Sequence, residues 1–319
     1  MIDFRYHLVS LASVLIALAV GIVLGAGPLN SGILQSVNSE VNTLREDKAD
    51  LRSQLDTTTK ALGVHQSFEA SRLATLVADK LSGRTVVVVD LPGAPSSVVS
   101  TTEDTLTSAG AILTGRITLG SVYADPAPAA QAARAALASE VDTALAMPAG
   151  AVAGSGLDPA IAACLTERTV TGSDGVGFAP TPEARTAAWK LLLDAGVVSR
   201  PLPAQVATSV VVIGGPALET SPDATAWADA EAGLAGSLDS RADGAVLVGD
   251  LEPSETRVVS PLMSVRTDSA IRQHLSTVDD VGTTLGQVSV VDALTEQLAG
   301  ASGQYGTLTG ATRVFPPVG

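Results

Sequence analysis

Two neighbouring carboxylates, Asp279 and Asp280, follow the short stretch Ser276-Thr277-Val278, and Asp250 follows a second apolar run, Ala245-Val246-Leu247-Val248-Gly249. Acids at strand ends bind cations or share a proton when a turn makes them converge. Along an extended strand, adjacent side chains point to opposite faces instead. Asp250, Asp279 and Asp280 are therefore the candidate ligand site at a sheet edge, with a turn or helix-start role as the competing reading. Other chemistry is scarce. His7, His65 and His274 are not spaced to pair on one helix face, and no CxxC or HExxH occurs. Copper(I) prefers thiolate and thioether ligands, but Cys164, Met1, Met147 and Met263 lie far apart in sequence. The single cysteine excludes an internal disulfide, and its Ala-Ile-Ala-Ala-Cys-Leu setting predicts a buried thiol. No GxGxxG or Walker-type phosphate loop follows a strand. Gly214-Gly215-Pro216 places a proline where such a loop would offer an N–H, and GxSxG is absent. The expectation is a chain that is not an enzyme and has no resident cofactor.

The candidate acids need a scaffold, and the pattern supplies one. Thr85–Asp90, Val210–Ile213 and the run at Ala245 are short continuous apolar stretches, as strands buried on both faces should be. Ile112 to Leu119 alternates as another strand. Helical patterns separate them: Ser97 to Ala109, Pro128 to Leu145, Thr181 to Ala195, Pro222 to Ala235, Ser269 to Leu275 and Gly286 to Leu298. Thr181-Pro182-Glu183 is a helix-start signature. Strands separated by helices predict a mostly parallel-sheet α/β domain, with ligands expected at the carboxyl ends of its strands. Residues 148–180 show little periodicity and suit a loop insertion or a helical hairpin. The tail from Ser302 reads as a loosely packed extended end.

Upstream the pattern changes twice. Leu8 to Leu29 carries no charge, and about 20 such residues suffice to cross a bilayer as a helix. A cleaved signal peptide is the competing reading, but the run is long and its start barely basic. Arg5 before the span and no charge after it until Glu40 predict a cytoplasmic N-terminus and an extracytoplasmic bulk. After Gly27-Pro28, Leu34, Val37, Val41, Leu44, Lys48, Leu51, Leu55, Thr58 and Leu62 alternate three- and four-residue steps. This is a heptad seam; an amphipathic helix lying on the globular domain is the competing reading, but the stripe is narrow and the other faces are strongly polar. The seam predicts a helix running to about Leu81 and self-association as a parallel dimer or higher oligomer through Leu34, Val37, Val41, Leu44, Leu51, Leu55 and Leu62. The expected organisation is an anchor over 1–29, a coiled-coil stalk over 30–82 and an extracytoplasmic α/β domain over 83–319.

With 19 Lys and Arg against 33 Asp and Glu, the net charge of −14 disfavours phosphate backbones, so no nucleic-acid partner is expected. Aromatic residues make up only 3% of the chain, which leaves the core to Val, Leu, Ile and Ala.

The opening Met1-Ile2-Asp3-Phe4-Arg5-Tyr6-His7-Leu8-Val9-Ser10-Leu11, with Ala19-Val20-Gly21-Ile22-Val23-Leu24-Gly25 behind it, is more specific than an anchor requires. It resembles the MctB family of actinobacteria, copper transport proteins of the cell envelope. The resemblance continues in Thr114-Gly115-Arg116-Ile117-Thr118-Leu119, in Ser276 to Asp280 and in Tyr305-Gly306. It implies a role in limiting intracellular copper, with copper as the ion moved and an outer-membrane pore as the mechanism. A related branch, similar to SteB, implies a SteA-like membrane partner and a role in envelope integrity and cell division. No copper-ligand motif carries over. A single span cannot enclose a pore, so a pore requires an oligomer, and the chain lacks the serial alternating strands of an outer-membrane barrel.

Overall fold

A computed structural model describes residues 4–25, 29–147, 156–171, 177–215, 222–250 and 259–317. The chain divides into two compact units, 1–65 and 66–319. The first unit holds α1 (Phe4–Gly25) and most of α2 (Leu29–Val77). Among the described residues, α1 is the one helix long and apolar enough to cross a membrane, with a mean hydropathy of 2.7 over its best window. None of its side chains is buried. The helix α2 ends at Val77 rather than Leu81. Asp79 and Gly83 both adopt positive φ, at 62° and 74°, and the left-handed backbone stops the helix. Leu81 is still fully buried, held in the turn instead of on a helix face.

The second unit is built on a six-stranded sheet with spatial order β2-β1-β5-β6-β7-β8. The strands are β1 (Thr85–Asp90), β2 (Ile112–Thr118), β5 (Ser209–Ile213), β6 (Gly244–Val248), β7 (Ser276–Val278) and β8 (Gln304–Tyr305). Every neighbouring pair is parallel. The sheet is α/β, as the alternation of apolar runs and helical segments predicts. Its continuous apolar strands are continuous because both faces are covered. Along β1, Val87 and Val89 face one core and Val86 and Val88 the other. The first core takes in α4 (Pro128–Leu145), α5 (Asp158–Leu165), α6 (Pro182–Asp194), α7 (Pro222–Arg241) and α8 (Pro261–Thr267). The second takes in α3 (Ser96–Ser108), α9 (Thr284–Leu298) and the end of α2 at Leu73 and Val77. A small antiparallel pair, β3 (Val170–Thr171) and β4 (Gly177–Phe178), completes the described strands.

Helix starts follow their caps. Thr181 accepts from the Ala184 N–H with Pro182 at the first helical position, and Thr283 accepts from the Gly286 N–H; each satisfies one otherwise orphaned donor. Three expectations need correction. The segment 148–180 is neither plain loop nor helical hairpin in its described part, but α5 followed by β3 and β4. The helix expected over Ser269 to Leu275 is a turn, and the helix lies upstream as α8, capped by Ser260 with Pro261 behind it. The tail is not loose: β8 pairs with β7, and Tyr305 is buried.

Candidate functional site

The three candidate acids sit together at the carboxyl end of the sheet but do different work. Asp279 is fully buried and ion-pairs with Arg266 of α8, whose Nη1 lies 2.8 Å from Oδ2. It also accepts the Thr307 N–H at 2.8 Å and the Leu308 N–H at 3.1 Å. Arg266 is saturated in turn: Nε donates to Thr277 Oγ1 at 2.9 Å and Nη2 to the Tyr305 carbonyl at 2.6 Å. Thr277 Oγ1 donates to Gln304 Oε1 at 2.6 Å. This network clamps β8 and the tail onto β7, and it commits Asp279 to internal partners. A Cβ on Gly306 would lie 1.9 Å from Asp279 Oδ1, and its φ of 124° suits glycine alone.

Asp280, the next residue, turns the other way through a left-handed backbone with φ of 69°. Its carbonyl and its Oδ2 accept from Thr283 Oγ1 at 3.0 and 3.3 Å, which builds the start of α9. Asp250 is exposed, and its Oδ1 accepts the Gly282 N–H at 3.2 Å. The structure therefore brings Asp250 to the loop that contains Asp280 and turns Asp279 away from both.

Sequence reasoning passed over a stronger polar group at the same edge. Asp90 ends β1 at the point where strand order reverses, between β1 and β5, the usual ligand position in such sheets. It is buried, ion-pairs with Arg116 of β2 and accepts Thr118 Oγ1 at 3.1 Å. Its Oδ1 has no hydrogen-bond partner among the described residues. Arg200 Nε donates to the same Thr118 hydroxyl at 3.1 Å. Burial raises the nearby Glu103 carboxyl while Arg116 pulls it down. The backbone closes on this point: a Cβ on Gly215 would lie 2.4 Å from the Pro92 carbonyl oxygen. Gly214-Gly215 is thus a close-packed crossing, as a structural turn would be.

A cavity lies at the opposite end, near the amino ends of β6 and β7. It measures about 520 Å³ and is lined by α7 from Gly233 to Ser240, by Ala270, Ile271 and His274, and by Arg168. Asp239 lines it, and burial raises its carboxyl to about 6 against the pull of His274 and Arg168. A smaller cavity of about 230 Å³ touches Tyr123, Arg134 and Asp158. There Tyr123 Oη lies 2.5 Å from Asp158 Oδ1 and 3.1 Å from the Ala230 carbonyl. The hydroxyl donates to the Asp158 carboxylate, which offsets part of the burial penalty on that group. Burial holds Asp158 up at about 6 and raises neighbouring Glu231 to about 7.

The heptad positions form the other candidate surface. Val37, Leu44, Leu51, Leu55 and Leu62 of α2 are 49–66% exposed, and Val41 is partly buried; Leu34 lies in the helix, outside the residues whose side chains are described. Cys164 is buried and its thiol is raised to about 12 by that burial, so it is a poor nucleophile. Among the described residues, no group of three or more His, Cys, Asp or Glu is placed to hold a metal ion.

Comparison with known proteins covers the full chain. The family described as "Copper transport outer membrane protein, MctB" matches residues 1–316. "Copper transporter MctB" of Mycobacterium tuberculosis (strain ATCC 25618 / H37Rv) is 29% identical over 328 residues, 98% of this chain and 99% of that protein. The protein of the same name from Mycobacterium leprae (strain TN) is 28% identical over 337 residues, 99% of this chain and 100% of the relative. The residues that carry the resemblance at the N-terminus, in β2 and around β7 are thus part of an end-to-end likeness, and the chain belongs to the MctB family.

Proposed function

We propose that this chain is anchored in the cell envelope by α1, self-associates in parallel through the α2 seam, and limits intracellular copper as an oligomer. The copper assignment rests on the family match and on the name of its relatives. The assembly rests on one observation: a narrow row of exposed leucines at heptad spacing on a helix whose other faces are polar. Such a row is self-complementary, because each seam side chain fits a hole made by four residues of an identical helix. A common anchor at the N-terminal end makes the parallel arrangement the natural one. Arg5 before the span, with no charge after it before Glu40, favours a cytoplasmic N-terminus and an extracytoplasmic α/β unit.

A lipid-facing barrel is a poor fit to the second unit. Its six-stranded sheet is parallel with a core on each face, whereas outer-membrane barrels are antiparallel with an apolar outer band. Any conduit for copper then belongs to the assembly or to a partner. The exposed seam equally suits a second reading, an oligomeric scaffold that recruits a membrane partner for envelope integrity and division. A deletion strain separates the two. Loss of copper tolerance with normal septation supports the copper role. Normal tolerance with septation defects overturns it and leaves the scaffold.

A further inference from the structure

Among the described residues, two arginines are fully or almost fully buried in the second unit, and they are treated in opposite ways. Arg266 donates to a carboxylate, a hydroxyl and three carbonyls. Arg241, the last residue of α7, is 0% exposed, yet among the described residues its Nε, Nη1 and Nη2 have no hydrogen-bond partner. No carboxylate forms an ion pair with it among the described residues. Its guanidinium carbon lies 5.9 Å from the centre of the Phe178 ring of β4. The Cys164 thiol near the end of α5 is within its electrostatic reach, and so is it within that of Arg185. Arg185 Nη1 donates to the Cys164 carbonyl at 3.4 Å. Two cationic forks thus gather at one residue.

A guanidinium does not lose its proton in a protein. A buried charge without a counter-charge is among the most costly groups a core can hold. The carboxyl-terminal ends of α5 and α7 attract cations, which accounts for the clustering, but their carbonyls leave the three Arg241 nitrogens unserved. An aromatic face meets the flat side of a guanidinium, not its N–H edge. What remains to be matched is a planar set of donors, the geometry that recognises halides and oxyanions. The acidic exterior, with a net charge of −14, repels anions from the surface at large, so an anion that binds must be met by local buried cations.

We propose that Arg241 holds a small inorganic anion beside Cys164 and Phe178, with Arg185 supplying a second positive charge. The anion completes the core at the junction of α5, α7 and β4. By linkage, an anion that binds only the folded chain raises the melting temperature with its concentration.

The test is thermal melting of the full-length, detergent-solubilised protein at fixed ionic strength, with sodium gluconate replaced stepwise by sodium chloride or by sodium phosphate. The melting temperature of the wild type should rise with each tenfold increase in at least one of the two anions. In Arg241→Met, which keeps an apolar stem of similar length, the rise should vanish, and the variant in gluconate should melt no lower than the wild type. A wild type indifferent to both anions overturns the proposal, and so does an equal response in the variant. If the variant fails to fold, crystals of the wild type soaked in sodium bromide decide. An anomalous peak within hydrogen-bond distance of the Arg241 guanidinium supports the site, and peaks at surface positions alone overturn it.

Discussion

Asp279 shows how a residue that looks like a ligand becomes a clamp. Its partner Arg266 lies 13 positions upstream, and both side chains are fully buried. Removing one charge strands the other, so Asp279→Asn or Arg266→Leu should lower unfolding free energy by about 3–5 kcal/mol. Urea denaturation measures this, and limited proteolysis near Tyr305 should show the tail released. Asp250→Asn, which touches one exposed backbone N–H, should change stability by less than about 1 kcal/mol. Nothing in the local sequence around Asp279 announces Arg266, because the pair exists only once α8 packs on β7. Arg241 is equally illegible: in sequence it is an ordinary basic residue beyond the expected helix end at Ala235, and only the longer α7 carries it into the core. The buried acids give a second prediction. Asp158 and Asp239 titrate near 6 and Glu231 near 7 in the folded chain, all above ordinary carboxylates, because burial penalises their charged forms. The folded state therefore binds more protons than the unfolded state between about pH 4 and 7. Stability rises as pH falls through that window and is lower at pH 8 than at pH 5, the reverse of a salt-bridged carboxylate. Melting curves across pH 5–8 check the sign. In Glu231→Gln the dependence should shrink and melting at pH 8 should rise; a wild type that melts higher at pH 8 than at pH 5 contradicts the assignment.

The legibility of each helix and strand depended on how local its cause was. β1, β5 and β6 were readable as uninterrupted valine-rich runs because a two-sided core demands them. α4, α6 and α9 were readable from their periodicity, and α6 also from its Thr-Pro start. β8 has two residues and becomes a strand only by pairing with β7, so no local pattern marks it. α8 has seven residues, too few for a helical period to show, and its Ser260-Pro261 start is the local signal that marks it. α5 was hidden by its alanines, which look alike on every face, and all but Pro159 of its eight residues are in fact buried. In α2 the seam is a sequence reading, and the structure adds that its leucines are exposed in the single chain. Aspartate at two of them should abolish pairing. For Leu44→Asp plus Leu51→Asp, sedimentation in detergent should show monomer where the wild type is a dimer or larger. An unchanged oligomer would mean that association uses another surface.

The chain combines an apolar N-terminal helix, a long helix with an exposed heptad seam and an acidic α/β unit whose described residues form no multi-ligand metal cluster. On the proposed reading copper is cargo, and the function depends on assembly more than on any one side chain. That separates two classes of variant. Substitutions at Asp250 or Asp280 should leave copper handling intact, while substitutions in the seam should remove it without unfolding the α/β unit. The decisive measurement is total copper, by mass spectrometry of washed cells grown in copper-supplemented medium, in a deletion strain carrying either the wild-type chain or Leu44→Asp plus Leu51→Asp at equal membrane abundance. The account predicts low copper with the wild type and, with the seam variant, the elevated copper of the uncomplemented deletion. Equal copper in all three strains, or full restoration by the seam variant, would contradict it.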